Sequence, residues 1–247
     1  AIGHNSLSAN TTADNNTAVG RDSLRVNTTG SENTAVGANA LDANITGHSN
    51  TAVGYLSLSA DTEGNRNVAV GFHAGQSQDN ADDNVWVGYQ SGLSCTTGGS
   101  NTGIGKDALR ANTTGNYNTA CGADALTLNT TGQNNTAIGN EALDANTTAS
   151  NNTAVGTAAL GANTTGAQLT AVGALALDAN TTGSDNSALG YNALGSSTNG
   201  VSNTAVGTYA LQSNTGGGNN TAVGRSALQN SSTANHCTAI GKDALKV

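Results

Sequence analysis

The sequence predicts an all-β fold, a parallel β-solenoid (β-roll) with one 17-residue coil per repeat. Three observations predict it. A glycine closes an "AVG"-type triplet at Gly3, Gly20, Gly37 and onward to Gly241, and every interval is 17 residues with no insertion or deletion. Asn, Thr and Gly recur at fixed places between those triplets, where turns need them. Finally, the chain is only 36% hydrophobic and 3% aromatic, with 33 glycines and no proline or methionine, below the roughly 45–50% apolar content of a globular domain. Such a composition often accompanies disorder. A disordered chain, however, has no reason to hold a register, whereas in a stack one slipped residue turns side chains to the wrong face. Residues 1–247 therefore read as a single continuous array of about fourteen coils, without linker or second domain, and as a segment of a longer fibre protein. At roughly 4.8 Å per stacked strand, such an array is a rod on the order of 70 Å long.

With the recurrent glycine taken as position 0, the unit reads in order as Asn at −4, Thr at −3, Ala at −2, Val or Ile at −1 and Gly at 0. Ala or Ser follows at +3, Leu at +4, and "NTTG" at +7 to +10; residues 107–122, "DALRANTTGNYNTACG", show one full cycle. The unit holds one or two short strand-like stretches and an Asn/Thr/Gly turn. It is too short for a pair of helices, and "NTTG" would interrupt a long one. One solenoid coil per unit remains. Stacked Asn and Thr at equivalent positions are expected to form side-chain ladders. "NTT" also satisfies the N-glycosylation pattern, for example at Asn27 and Asn112.

The only tryptophan, Trp86, stands at −2, where other coils carry Ala. The next coil has Gly103 at −2, and the +4 leucine becomes Gly75 and Gly92 on either side of Trp86 in sequence. Close-packed interiors penalise added volume by roughly 1–3 kcal/mol. Such an exchange is expected if the −2 and +4 columns share one interior, an Ala column facing a Leu column. The alternative places Trp86 outside, in a candidate ligand patch with Phe72, His73, Asp79, Asp82, Asp83 and Tyr89, where the coil from Gly71 to Asn84 has lost the "NTTG" turn and reads "FHAGQSQDNADDN". Functional residues are often found on such divergent loops.

If −2 and +4 point inward, strand alternation turns −3 and −1 outward. The −1 column contains Val19, Val36, Val53, Val70, Val87, Ile104, Ile138, Val155, Val172, Val206, Val223 and Ile240, with Ile2, Cys121 and Leu189 completing it. An exposed apolar stripe of that length exceeds what a monomer normally shows. A parallel homo-oligomer about a common axis would cover it. If −1 instead faces inward, the chain is a monomeric solenoid with Trp86 on its surface.

"NTAVG" and "NTAIG" at residues 33–37 and 135–139 resemble the head repeats of trimeric autotransporter adhesins, and the "NTAVG…AL…NTTG" pattern is similar to arrays in phage tail-fibre-like surface proteins. The resemblance covers essentially the whole chain, but to a repeat style. It implies a left-handed β-roll, three chains around one axis with Val36 and Ile138 facing it, and a role in attachment or spacing at a bacterial cell surface or virion. The 17-residue unit is longer than the adhesin head repeat, Thr usually replaces the first valine (Val68 and Val85 excepted), and neither stalk nor anchor is visible.

The remaining signals narrow the function. A net charge of −8 disfavours nucleic acid and anionic membranes as partners, and no transmembrane span is visible. Weak Ca²⁺ binding near Asp79, Asp82 and Asp83 is conceivable on charge alone, without a calcium-loop motif; a solvated acidic turn is the simpler reading. His4, His48, His73 and His236 occupy different columns and do not form a metal set. Cys95, Cys121 and Cys237 also fall in three columns and are not expected to pair. No constellation of nucleophile and base points to an enzyme. The expectation is a structural segment of an extracellular or virion fibre or adhesin that self-associates as a homotrimer or filament. A receptor- or host-glycan-binding module built on coils 71–105 is the alternative. An ice-binding face carried by the Thr17, Thr34, Thr51 ladder is a weaker one, because a single Thr column is narrow.

Overall fold

A computed structural model of the chain describes residues 1–246. It forms two compact units, Ala1–Ala123 and Asp124–Val247, built in the same way. The first holds β1 (Thr17–Val19), β2 (Thr34–Val36), β3 (Thr51–Val53), β4 (Val68–Val70), β5 (Val85–Val87), β6 (Thr102–Ile104) and β7 (Thr119–Cys121). The second holds β8 (Thr136–Ile138), β9 (Thr153–Val155), β10 (Thr170–Val172), β11 (Ser187–Leu189), β12 (Thr204–Val206), β13 (Thr221–Val223) and β14 (Thr238–Ile240). Within each unit consecutive strands pair parallel and in register, position −3 on −3, −2 on −2 and −1 on −1. The fold is thus the expected parallel β-solenoid with a 17-residue coil. Each coil contributes one three-residue strand rather than two.

The rest of the coil is turn, but its backbone still hydrogen-bonds from coil to coil. The cause is an alternation of backbone hand. Positions +2, +4 and +12 lie in the left-handed region, Leu24, Leu41 and Leu58 at +4 having φ of 47°, 49° and 48°. This flips successive peptides along the stacking direction. At +2, the Asn39 N–H donates back to the Arg21 carbonyl at 2.9 Å; at +4, the Leu41 N–H donates forward to the Ser57 carbonyl at 3.0 Å. Leucine in this region is uncommon. Its full burial in every coil that has coils stacked on both sides offsets the strain.

Position 0 needs glycine for two reasons. Its φ lies between 123° and 145°, a region essentially closed to other residues. A Cβ on Gly54 would also overlap the carbonyl of Gly71 in the next coil.

The core is narrow and runs along each unit. Ala at −2 and Leu at +4 are fully buried, as in Ala35, Ala52, Leu41 and Leu109. Position +3 is a third interior column: Ala40, Ala74 and Ala108 are buried, and the buried Ser23 and Ser57 donate to the position-0 carbonyls of Gly20 and Gly54 at 3.0 and 3.1 Å. The remaining interior is polar, formed by two Asn columns. At +7, Asn44 Nδ2 donates to Asn27 Oδ1 of the preceding coil at 2.8 Å and to the Gly47 carbonyl at 3.0 Å. At −4, the Asn50 N–H donates to Asn33 Oδ1 at 2.9 Å, and Asn33 Nδ2 donates to the same Gly47 carbonyl at 2.8 Å. One carbonyl thereby ties the two ends of a coil together, and Asn27, Asn33, Asn44 and Asn50 are fully buried. The expected Asn ladders are therefore internal, while the Thr ladder is external: Thr96 Oγ1 at +8 donates to the Thr113 carbonyl at 3.0 Å.

Candidate functional site

Trp86 lies in the core. It is 0% exposed, and all three glycines singled out by the sequence touch its ring. A Cβ added to Gly75 would stand 2.6 Å from Trp86 Cδ1, one added to Gly103 would stand 2.9 Å from Cε3, and one added to Gly92 would fall inside the indole. Trp86 therefore cannot belong to a surface ligand patch, which corrects that placement: its volume is accommodated by three side chains that have been removed. The polar end of the ring is also satisfied. Trp86 Nε1 donates to Gln78 Oε1 at 2.9 Å, the same oxygen accepts from Asn84 Nδ2 at 3.1 Å, and Gln78 Nε2 donates to Asp61 Oδ2 at 3.0 Å. Gln78 stands at +7, where the consensus is Asn. The extra methylene of Gln extends its amide toward the indole. Sequence reading missed this partner, although the break in the Asn column was its signal.

Asp61 is the next departure in the +7 column. It is buried and accepts from the Gly64 N–H at 2.9 Å and the Asn80 N–H at 3.2 Å as well as from Gln78. Burial pushes its carboxyl up to about 6, against the lowering effect of these hydrogen bonds. Being an acceptor when ionised, it cannot continue the ladder, and Asn44 Oδ1 in the preceding coil is left without a partner. The same fault recurs where Ser197 replaces Asn: Asn180 Oδ1 is unpartnered. Cys95 completes the altered run at +7. It is buried, its Sγ donates to the Gly98 carbonyl at 3.3 Å, and desolvation pushes the thiol up to about 12.

The other members of the proposed patch separate into two groups. Phe72 and Tyr89, exposed at position +1, stack with Tyr55 in a ladder: centroids are 5.5 Å apart for Tyr55–Phe72 and 5.4 Å for Phe72–Tyr89, the latter pair nearly parallel at 4°. His73 stacks on Phe72 at 3.9 Å. Both faces of Phe72 are thus turned toward neighbouring rings. The acids form the second group and meet Arg66. Its Nε lies 2.6 Å from Asp83 Oδ1 and its Nη2 lies 3.2 Å from Asp82 Oδ2; the hydrogen-bonded guanidinium holds the Asp83 carboxyl below its usual range. Asp79 accepts from Thr62 Oγ1 at 2.8 Å. Among the described residues no group of three or more His, Cys, Asp or Glu side chains is placed to hold a metal ion. No described helix is long and apolar enough to cross a membrane.

The third feature is the outer face of each sheet. Strand after strand is buried only at its middle residue. Position −1 faces solvent: Val36 is 36% exposed, Ile104 41%, Ile138 42% and Leu189 51%. The Thr of −3 lies beside it on the same face, and no strand carries a charged residue. In the second unit Val172, Leu189 and Val206 line a shallow apolar cleft with Thr170, Ser187 and Ala188. The two linked placements of the sequence reading resolve together: Trp86 is inside and −1 is outside.

The sequence matches no known family profile, and no curated protein matches it significantly.

Proposed function

We propose that the chain is a structural repeat segment of an extracellular or virion fibre or adhesin, giving length, stiffness and surface display, and that it works as a parallel homo-oligomer of three chains. The observation that carries this reading is the outer face at −1. It is aliphatic in both units, interrupted only by Cys121, and solvated in the single chain. Burying about 25 cal/mol per Å² of such surface favours a partner with the same 17-residue spacing, and the partner that always has it is another copy. The number three comes from the resemblance to trimeric adhesin repeats. A stack of similar short coils, joined by an interior Asn ladder that runs through most of them, suits a stiff spacer. Light scattering on residues 1–247 tests the reading: a mass of three chains is expected, and a single-chain mass at micromolar concentration overturns it.

The receptor- or glycan-binding alternative on coils 71–105 has one observation in its favour, the exposed strip of Tyr55, Phe72 and Tyr89. Against it, the rings cover one another's faces, and Asp82 and Asp83 are engaged by Arg66. A glycan array with Phe72→Ala as control decides: binding lost in that variant, with folding intact, would favour the alternative.

A further inference from the structure

We propose that Trp86 and the residues shaped around it are a register mark, which dictates that coil 88–104 stacks directly on coil 71–87 in a chain whose repeats otherwise follow one consensus. Consensus coils offer one another the same backbone ladder, as β1–β2 and β2–β3 show with identical Thr, Ala and Val pairs. A 17-residue coil could therefore loop out, and the coils on either side could stack without losing a hydrogen-bond type. The entropy of a loop that short grows only slowly with length, so it discriminates poorly against such errors.

Trp86 removes this degeneracy because its partners come from two coils. Gly75 and Gln78 belong to its own coil; Gly92 and Gly103 belong to the next. If coil 88–104 looped out, β5 would pair with β7, and the indole would meet Leu109 and Ala120 where it now meets glycines. If coil 71–87 looped out, Gly92 and Gly103 would line an empty space. One error produces overlap and the other a cavity, and close-packed interiors resist both.

The backbone supports this reading over a conformational one. Gly75 and Gly92 have φ of 59° and 62°, while Leu58 and Leu109 in the same column have 48° and 53°. Leucine is accepted in that conformation throughout the chain. These two glycines therefore stand where they do because of the indole and not because the turn requires them.

The test erases the mark and asks which coils become neighbours. In the full chain, with Cys121→Val and Cys237→Asn to remove the accessible thiols, Phe72→Cys is combined with either Tyr89→Cys or Lys106→Cys. Phe72 and Tyr89 occupy position +1 of adjacent coils; Phe72 and Lys106 are two coils apart, roughly 9–10 Å, beyond disulfide reach. Each pair is placed in the natural background and in a background restored to consensus by Trp86→Ala, Gly75→Leu, Gly92→Leu, Gly103→Ala and Gln78→Asn. Chains are refolded reduced, then oxidised, and the intrachain disulfides are counted by peptide mass. The natural background should give only the 72–89 link. The erased background should fold and give a 72–106 link in a tenth or more of the chains. A folded erased chain with no 72–106 link above background overturns the proposal. So does an erased chain that cannot fold, because the cluster would then be a requirement for stability rather than for register.

Discussion

At the scale of single residues, two positions have consequences that can be measured. Trp86→Ala leaves a cavity lined by three glycines that cannot fill it, and should cost about 3–5 kcal/mol in denaturant unfolding. Asp61 concerns charge. Its carboxyl, ordinarily near 3.8, stands at about 6 in the folded chain. The folded state therefore holds the proton more tightly than the unfolded state does. The stabilisation is complete below pH 4 and is lost as pH rises through 6. Asp61→Asn removes this dependence and supplies an amide donor toward the unpartnered Asn44 Oδ1. The variant should gain up to about 3 kcal/mol over the natural chain at pH 7.5 and much less at pH 4; equal gains at both pH values would rule out the burial of an ionised Asp61 as the cause. Of the residues around Trp86, the three glycines were legible in the sequence as a volume exchange. Gln78 and Asp61 were not, because a polar substitution in an Asn column looks like surface drift until the column is known to be interior.

At the scale of the strand and its flanking turns, the position-0 glycine and the −1 aliphatic residue carry opposite duties. Gly54→Ala forces a side chain into a closed backbone region and against the next coil's carbonyl; a loss of at least about 2 kcal/mol is expected by thermal unfolding. Substitution at −1 should leave the single chain folded and act on assembly. Val53→Asp with Val87→Asp should shift the solution mass from three chains to one while circular dichroism is unchanged. The cysteines give an independent reading. Cys95 is buried, Cys121 is exposed in the −1 column and Cys237 is half-exposed. A thiol reagent should label two cysteines in a lone chain but only Cys237 in an assembly that covers the −1 face. The outward turn of −1 was deducible from strand alternation once −2 was placed inside, but the number of strands per coil was not. The turn residues hydrogen-bond between coils as regularly as strands do, and their left-handed leucines have no distinct sequence signature.

At the scale of the whole molecule, stability is a sum of similar coils and their interfaces. Length should then be adjustable in steps of one repeat. Deleting residues 38–54, one complete 17-residue coil away from Trp86, should leave a folded chain with a slightly lower unfolding enthalpy. Deleting only residues 38–53 should disrupt the fold locally, because every later side chain would change face relative to the coils before the deletion. Equal behaviour of the two deletions, followed by calorimetry and circular dichroism, would contradict the solenoid register.

The sequence by itself determined the period, the coil-on-coil stacking and the pairing of Trp86 with three glycines. Each is written as a one-dimensional regularity or a break in one, and a 17-residue repeat without insertions has few ways to stack. Only the tertiary structure decided that both Asn columns lie inside, that leucine at +4 adopts the left-handed conformation, that Phe72 and Tyr89 occupy each other's faces, and that Arg66 claims Asp82 and Asp83. These depend on which way a side chain turns after the chain has closed a coil. That direction is set by peptide flips and neighbouring coils, which residue identity alone does not record.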